Sequence, residues 1–596
     1  MITPESFKKE IGIFGKPTGQ LLLIGVLTLL VYSNSLSGEF VFDDNHMIVE
    51  NIFIKDPAYF PLFFKGFTTS HPIGQGMCRP LLMLTFAFNY ALGKLDPYGY
   101  HLFNVFLHFS NAALLFTLLR RLKQEISSAA AFLLALLFAV HPINTEAVTY
   151  INGRPDLLVG FFALAGFILY LRRNYLLAGL LYVAALSAKE TALVMPLVFI
   201  GHHFIYTRRF PESRRFFIGL GLITAAYAFW YMRFFYGTAA PDTVYGFFAN
   251  IIPQSRATFF YLRLFFWPTA LSIVHASPAA RSCLTPEALL SLAGMAGLFA
   301  GVFLLRKKSY AASLGLFWLL IWRVPLFFAK LNFAVCEHHF YLASLGIYLI
   351  ALDPAARLYA KNKRIFIAAA TAMLLVLSAL TYFRNQEYKD NFSLWRSAAL
   401  RNERSGIAHL NLAAQYLRRD DAQKAAVELE KAVILNERAI GVVYARIDLS
   451  ALYISQGKYP AAAAELEEAL KLNIAPPMVL YQNLGAVYIK MGRQEEAARL
   501  YEKAVLLDPG NAGAHYLLGA VYARLGNGRA LDELKTAVLL DPALGAAHND
   551  LAVVYASLVP PDWDAADEQV MAAQRLGCKV NAGLLRAIKN NIKRSP

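Results

Sequence analysis

"MVLYQNLGAVYIKMGRQEEAARLYEKAVLLDP" spans Met478–Pro509 and is one copy of something that recurs. The string "NLAAQY" ends at Tyr416, "DLSALY" at Tyr453, "NLGAVY" at Tyr488, "LLGAVY" at Tyr522 and "DLAVVY" at Tyr555, at spacings of 37, 35, 34 and 33 residues. A period in this range marks stacked supersecondary units, none of which buries its apolar face alone. "DP" at 508–509 and 541–542 ends one helix before the next begins.

Tyr481, Leu484, Gly485, Tyr488, Ala497, Tyr501, Ala504 and Pro509 occupy the eight consensus positions of a tetratricopeptide repeat, which this copy resembles. Small residues let paired helices approach, and large ones fill the space between repeats. Residues 395–596 therefore read as an α-solenoid of about five repeats, a fold whose concave groove usually holds a peptide. Five residues before each repeat tyrosine stand Asn411, Asp448, Asn483, Leu517 and Asp550. A side-chain amide or carboxylate at this register would hydrogen-bond an extended acceptor peptide. The row resembles the asparagine ladder of repeat-bearing O-linked sugar transferases, although Asn is also simply common at this helix position.

Upstream the composition changes. The 596-residue chain is 57% hydrophobic with a net charge of +16, and residues 1–394 hold nearly all the long apolar runs and nearly all the excess charge. A nucleic-acid binder needs its basic residues on a soluble face, and here they sit between apolar runs. Four cysteines without CxxC or CxxH spacing offer no zinc signature. Eleven apolar runs, near 18–36, 101–119, 129–148, 156–171, 175–188, 190–206, 216–235, 288–305, 310–329, 339–356 and 364–383, are expected to cross a bilayer. The first, preceded by Lys8, Lys9 and Lys16, reads as a retained helix rather than a cleaved signal.

With the N-terminus cytoplasmic, eleven crossings place 19 of this half's 33 Lys and Arg residues in inner loops, as the positive-inside rule requires. Thr258–Val274, with Arg263 and "WP" at 267–268, weakens that bias if it crosses, so it is expected to be re-entrant or interfacial. The outer side then receives loop 37–100, whose "PAYFPLFFKGF" suits the membrane interface or a packed loop equally. It also receives the repeats and most of the unusual polar residues. "GEFVFDDNHM" carries Asp43 and Asp44 directly after the first span, and charge so near a bilayer is a functional suspect. "CRPLLMLTFAFNYALGKLDPYGYHLFNVFLH" brings Arg79, His101 and Asn104; "HPINTEAVTYINGRPDLL" brings His141, Glu146, Arg154 and Asp156. "SAKETALVMP" supplies Lys189 and Glu190, and "CEHHFYLASLG" supplies Glu337, His338 and His339. Each alone is more often an interfacial anchor or a helix end; together they gather acids and guanidiniums on one face.

These motifs, in this order and followed by "LWRSAAL" and the repeats, resemble the transmembrane-and-tetratricopeptide-repeat O-mannosyltransferases and their bacterial relatives, in the C-type (GT-C) glycosyltransferase superfamily. Two positions depart: the family often shows Glu-Arg where this chain has Glu337–His338, and tends to carry Asp after Leu-Ser where this chain reads Leu271–Ser272–Ile273–Val274. The resemblance implies an all-α GT-C-like membrane domain over 1–394. It also implies a polyprenyl-phosphate hexose donor, mannose favoured, used on the non-cytoplasmic face in an inverting transfer to Ser/Thr hydroxyls. Asp43 is then the favoured general base, Asp44 its partner, and the pair could hold a divalent cation such as Mg or Mn through oxygens. Arg79, Arg154 and Arg263, with Lys189, are candidates for the donor phosphate, because a guanidinium fork matches phosphate oxygens.

A same-fold transferase acting on a glycolipid or glycan is the nearest alternative. A membrane-anchored repeat scaffold would need only one span, and a transporter would show internal duplication. Membrane lipids and an acceptor protein are the expected partners, without nucleic acid. A bacterial inner membrane with periplasmic repeats, or an endoplasmic-reticulum membrane with luminal ones, satisfies the same topology.

Overall fold

The computed structural model describes residues 16–70, 77–122, 128–206, 214–234, 247–275, 285–329, 335–435, 439–474 and 477–592. Lys8 and Lys9, the inner-loop residues Lys123, Arg208 and Arg209, and Cys283, one of the four cysteines, lie outside these. The described residues are almost entirely helical, and the chain divides into two compact units, Met1–Glu403 and Arg404–Pro596.

In the first unit all eleven apolar runs contain helix, but not all are long enough to span. Among the described residues seven helices are long and apolar enough to cross a membrane, from Pro97–Leu122 to Lys363–Glu387. An eighth crossing forms if Ser128–Ala139 and Pro142–Thr149, bent 48° apart at His141, count as one. The runs near 18–36, 175–188 and 190–206 give shorter helical stretches, Pro17–Val31, Tyr175–Ala188 and Glu190–Ile205. On length and composition, seven or eight of the eleven expected spans qualify. At 1.5 Å per residue, the 14 residues of Tyr175–Ala188 reach about 21 Å against a hydrocarbon core of about 30 Å. Lys189 ends that helix by turning extended (φ −161°, ψ 139°). Thr258–Val274 covers the last turns of the helix Phe247–Phe266 and the irregular chain after it. Pro268 cannot supply the N–H that would continue the helix.

The tightest crossing joins Tyr310–Ile321 to Tyr341–Lys361. A Cβ added to Gly315 would lie 2.4 Å from the Gly346 carbonyl oxygen, and one added to Gly346 would lie 2.2 Å from that of Gly315. Such backbone contact is how membrane helices pack without a hydrophobic driving force between them. Within the bundle, Asn111 and His108 both hydrogen-bond the buried Tyr341 hydroxyl, at 3.0 and 2.9 Å. Loop 37–100 is mostly helical too: Phe63 of the segment Pro57–Lys65 is buried, while Phe64 is 58% exposed. The helix Asn391–Arg401 belongs to this first unit, its Trp395 ring meeting Phe42 edge-on at 5.2 Å.

The second unit consists of five antiparallel helix pairs, beginning with Gly406–Leu417 and Ala422–Leu435 and ending with Gly545–Ala556 and Trp563–Arg575; Ala582–Ile592 follows. The consensus small positions are places of contact: a Cβ on Gly485 would fall 2.4 Å from the Tyr501 ring, and one on Gly519 2.7 Å from Leu534. The turns inside successive pairs use a left-handed residue, Asp420 (φ 57°), Gly457 (φ 72°), Gly492 (φ 78°) and Gly526 (φ 66°). Glycine takes this conformation without the Cβ penalty.

Candidate active site

The two adjacent aspartates have different surroundings. Val41–Asp44 is a tight turn, closed by the Asp44 N–H donating to the Val41 carbonyl at 3.0 Å. Phe42 is left-handed within it (φ 52°), a strained state for a bulky residue that persists only where neighbours enforce it. Asn391 Oδ1 accepts from the Phe42 N–H at 2.9 Å, and the Glu39 N–H donates to the Lys389 carbonyl at 2.8 Å. Asp44 is fully buried and accepts from two backbone N–H groups, Val41 at 3.0 Å and Asn152 at 2.9 Å. It ties the first loop to the segment before the helix Arg154–Leu171. Asp43 is half-buried, and among the described residues its carboxylate has no such clamp. Burial pushes its carboxyl above the usual carboxylate range, with His46, the Tyr150 hydroxyl and His338 pulling it part of the way back. Burial also pushes Asp44 well above that range, against its two backbone donors. A single wide turn, Asn45–Val49, follows the pair, a feature frequent at functional sites.

Next to Asp43 lies a layer of buried acids. Glu146 accepts from the Glu337 backbone N–H at 2.7 Å and meets His338 Nδ1 at 2.5 Å. Glu337 Oε1 accepts from the Ser272 N–H at 2.6 Å and pairs with His275 at 3.0 Å, while Oε2 faces Arg384 at 3.3 Å. Arg384 also pairs with Glu387, which pairs with Arg401. The two family departures, at Ile273 and His338, are therefore the sequence neighbours of one contact, Ser272 N–H to Glu337 Oε1. His275, Arg384, Glu387 and Arg401 were not singled out in the sequence. Their one visible signal is the i, i+3 pair Arg384–Glu387 at the end of the last apolar helix.

The basic candidates divide. Arg79 and Glu190 form a two-point pair, Nε to Oε2 at 3.1 Å and Nη2 to Oε1 at 2.7 Å, leaving the Nη1 edge outside it. Lys189 Nζ reaches both Asp156 oxygens at 2.8 Å. Arg154 is fully buried and committed inward: it donates to Asn104 (2.8 Å), Thr85 (3.1 Å), Asn89 (2.8 Å) and the Tyr100 carbonyl (3.0 Å), and lies over the Phe86 and Phe103 rings. In this conformation it joins helices rather than facing a ligand. Arg263 is exposed near the end of its helix and is not brought to the cluster among the described residues. His141 caps its own turn, accepting from Ile143 N–H at 3.2 Å and meeting the Phe265 carbonyl at 3.0 Å. His101 is buried against Gly38, with both ring nitrogens unbonded among the described residues. Near Arg79 and Lys189 stand the buried Arg323, on Gln254 at 2.9 Å, and His339.

In the repeat unit Asn411, Asp448, Asn483, Leu517 and Asp550 are half-buried, each on the first helix of its pair. Asn411 Nδ2 bonds back to the Ile407 carbonyl at 2.9 Å, which leaves its oxygen outward of that bond. Burial pushes the Asp448 and Asp550 carboxyls up.

The family model described as TPR repeat matches residues 485–526. The chain is 28% identical over 418 residues to protein O-mannosyl-transferase F38B6.6 of Caenorhabditis elegans, covering 66% of this chain and 59% of that relative. It is 25% identical over 534 residues to protein O-mannosyl-transferase Tmtc3 of Drosophila melanogaster, covering 71% and 56%. Over 155 residues it is 38% identical to human protein O-mannosyl-transferase TMTC3, covering 25% and 16%. The chain thus spans less than two thirds of the length of these curated relatives. With its membrane helices and repeats, this integral membrane protein is a relative of the TMTC protein O-mannosyl-transferases.

Proposed function

We propose that this protein is a membrane-embedded, inverting O-mannosyltransferase. It moves a hexose, mannose first, from a polyprenyl-phosphate donor to Ser/Thr hydroxyls of an acceptor protein on the non-cytoplasmic face. The observation that carries this reading is the division of labour between the aspartates: Asp44 is buried under two backbone donors, which leaves the partly buried Asp43 to act. A hydroxyl attacking an anomeric carbon must lose its proton, and a positioned carboxylate contributes about 10²–10⁴ in rate. Burial that raises the Asp43 carboxyl makes it a stronger base. The leaving lipid phosphate is met by Arg79, through its Nη1 edge, and by Lys189. Glu190 and Asp156 hold these two cations until the anion arrives. One displacement inverts the anomeric centre.

The repeats bind the acceptor, with Asn411, Asp448, Asn483 and Asp550 on its backbone. The N-terminus is cytoplasmic, and eleven crossings result if the three short helices also traverse. Their length deficit is met where the adjoining 3₁₀ and loop segments are buried in protein.

The test is transfer of labelled mannose from polyprenyl-phosphate mannose to secreted proteins by the purified chain and by Asp43→Asn. The reading expects protein-linked label from wild type and a loss of about 10²-fold or more in the variant. Label appearing in lipid would move the acceptor to a glycolipid, and equal transfer by Asp43→Asn would remove the assigned base.

A further inference from the structure

We propose that Cys336, His338 and His339 form a binding site for a borderline transition-metal ion, zinc first. The inference concerns ligands on one short turn and does not rest on the transferase reading. One ligand atom from each residue lies within 4.8 Å of the other two, a separation that small side-chain rotations close onto one ion. Cys336 caps the turn Glu337–Phe340 that carries the two histidines, and it is fixed in place: the Tyr261 hydroxyl accepts from the Cys336 N–H at 2.9 Å and donates to its carbonyl at 2.8 Å.

Two further observations point to a ligand. Glu146 engages Nδ1 of His338 at 2.5 Å. A carboxylate on one imidazole nitrogen orients the ring and raises the basicity of the other, as around metal-bound histidines. Nδ1 of His339 is buried and, among the described residues, has no hydrogen-bond partner, an arrangement that is unfavourable unless something fills it. The rings of His338 and His339 are 4.4 Å apart, and His338 keeps 20% of its side chain exposed, which gives an ion a way in.

The chemistry selects the metal. One thiolate and two imidazoles suit zinc, whereas magnesium and manganese prefer oxygen donors. This site is therefore distinct from a hard cation held by Asp43 and Asp44. Lys189, Arg79 and Arg323 act on His339 and oppose a cation. Glu146, Glu337 and Asp43, all within electrostatic reach of Cys336, supply the compensating negative charge, and the ion displaces the thiol proton as it binds. Three protein ligands leave the fourth position of a tetrahedral ion open.

The experiment uses the full chain in detergent, purified without chelator, with zinc measured per chain. It is then stripped and titrated with cobalt, whose thiolate charge-transfer band reports a sulfur ligand. The proposal expects about one zinc per chain and a cobalt band that survives in the triple variant Cys78→Ser/Cys283→Ser/Cys578→Ser, where Cys336 is the sole thiol. His339→Ala is expected to weaken cobalt binding at least tenfold, and Glu146→Gln about 10–100-fold. Folded wild type that shows no band in excess cobalt overturns the proposal, as does loss of the band in the folded triple variant. Should that variant fail to fold, Cys336→Ser decides: a band of wild-type intensity overturns, and its loss with folding intact supports.

Discussion

Replacing Asp44 by Asn separates holding the aspartate turn from performing chemistry on it. Asp44 offers one oxygen to the Val41 N–H at 3.0 Å and the other to the Asn152 N–H at 2.9 Å. Asparagine keeps one of those acceptors and turns an NH₂ toward the other donor, so one buried N–H is orphaned. That costs about 1–3 kcal/mol. Release of the left-handed Phe42, itself a state worth about 1–3 kcal/mol of strain, lets the turn relax away from its bound form. The expected result is a lowered unfolding midpoint in detergent, faster proteolysis near residues 41–46, and loss of sugar transfer. Asp43→Asn loses transfer with its midpoint unchanged. The pH dependence has a definite sign. Because burial raises the Asp44 carboxyl above its unfolded value of about 3.9, wild type loses stability as pH climbs from that value through the folded one. The Asn variant lacks that loss, so the gap between the two narrows as pH rises. An Asp44→Asn protein as stable and protease-resistant as wild type would refute the clamp, and with it the assignment of the free role to Asp43.

The raised Asp43 carboxyl places the acid limb of kcat/KM for transfer above about 3.9, the ordinary aspartate value; a pH–rate profile with its limb at or below that value contradicts the assignment. Glu337→Gln leaves Arg384 buried with Glu387 as its remaining acid. It is expected to destabilise the first unit by about 3 kcal/mol, the low end for a broken buried pair, as read from thermal unfolding. Gly346→Ala drives a methyl to 2.2 Å from the Gly315 carbonyl oxygen, and the helices must part; overpacking of this kind costs about 1–3 kcal/mol and should lower the midpoint, whereas Ala at Gly219, with open space around it, leaves it unchanged.

Much of this architecture was legible in the chain because it is local. The repeats announce themselves through a short period whose small residues, Gly485 and Gly519, must sit under Tyr501 and Leu534 wherever the units stack. The membrane helices follow from runs of apolar residues, although run length overstated helix length. The break before Pro142 bends the run 129–148, and the run 18–36 continues five residues past its helix, which ends at Val31; only at Lys189 did the charge itself mark where a run stops. The motif acids and bases were recognisable as a group, since their residue types are out of place beside a bilayer.

What tertiary structure alone decided is which of them are buried and paired, and with which partner. Asp43 and Asp44 are chemically identical neighbours, but Asp44 alone accepts from the Val41 N–H beside it and the Asn152 N–H 108 residues away. Arg154 and Arg79 look alike as phosphate ligands until Asn104, Asn89, Thr85 and Tyr100 are seen to consume the first. The Ser272–Glu337–Arg384 contacts join residues far apart in sequence. Periodicity and composition report what a residue contributes to its own helix. Burial, pairing and the cost of an unpaired polar group depend on which distant segment arrives beside it.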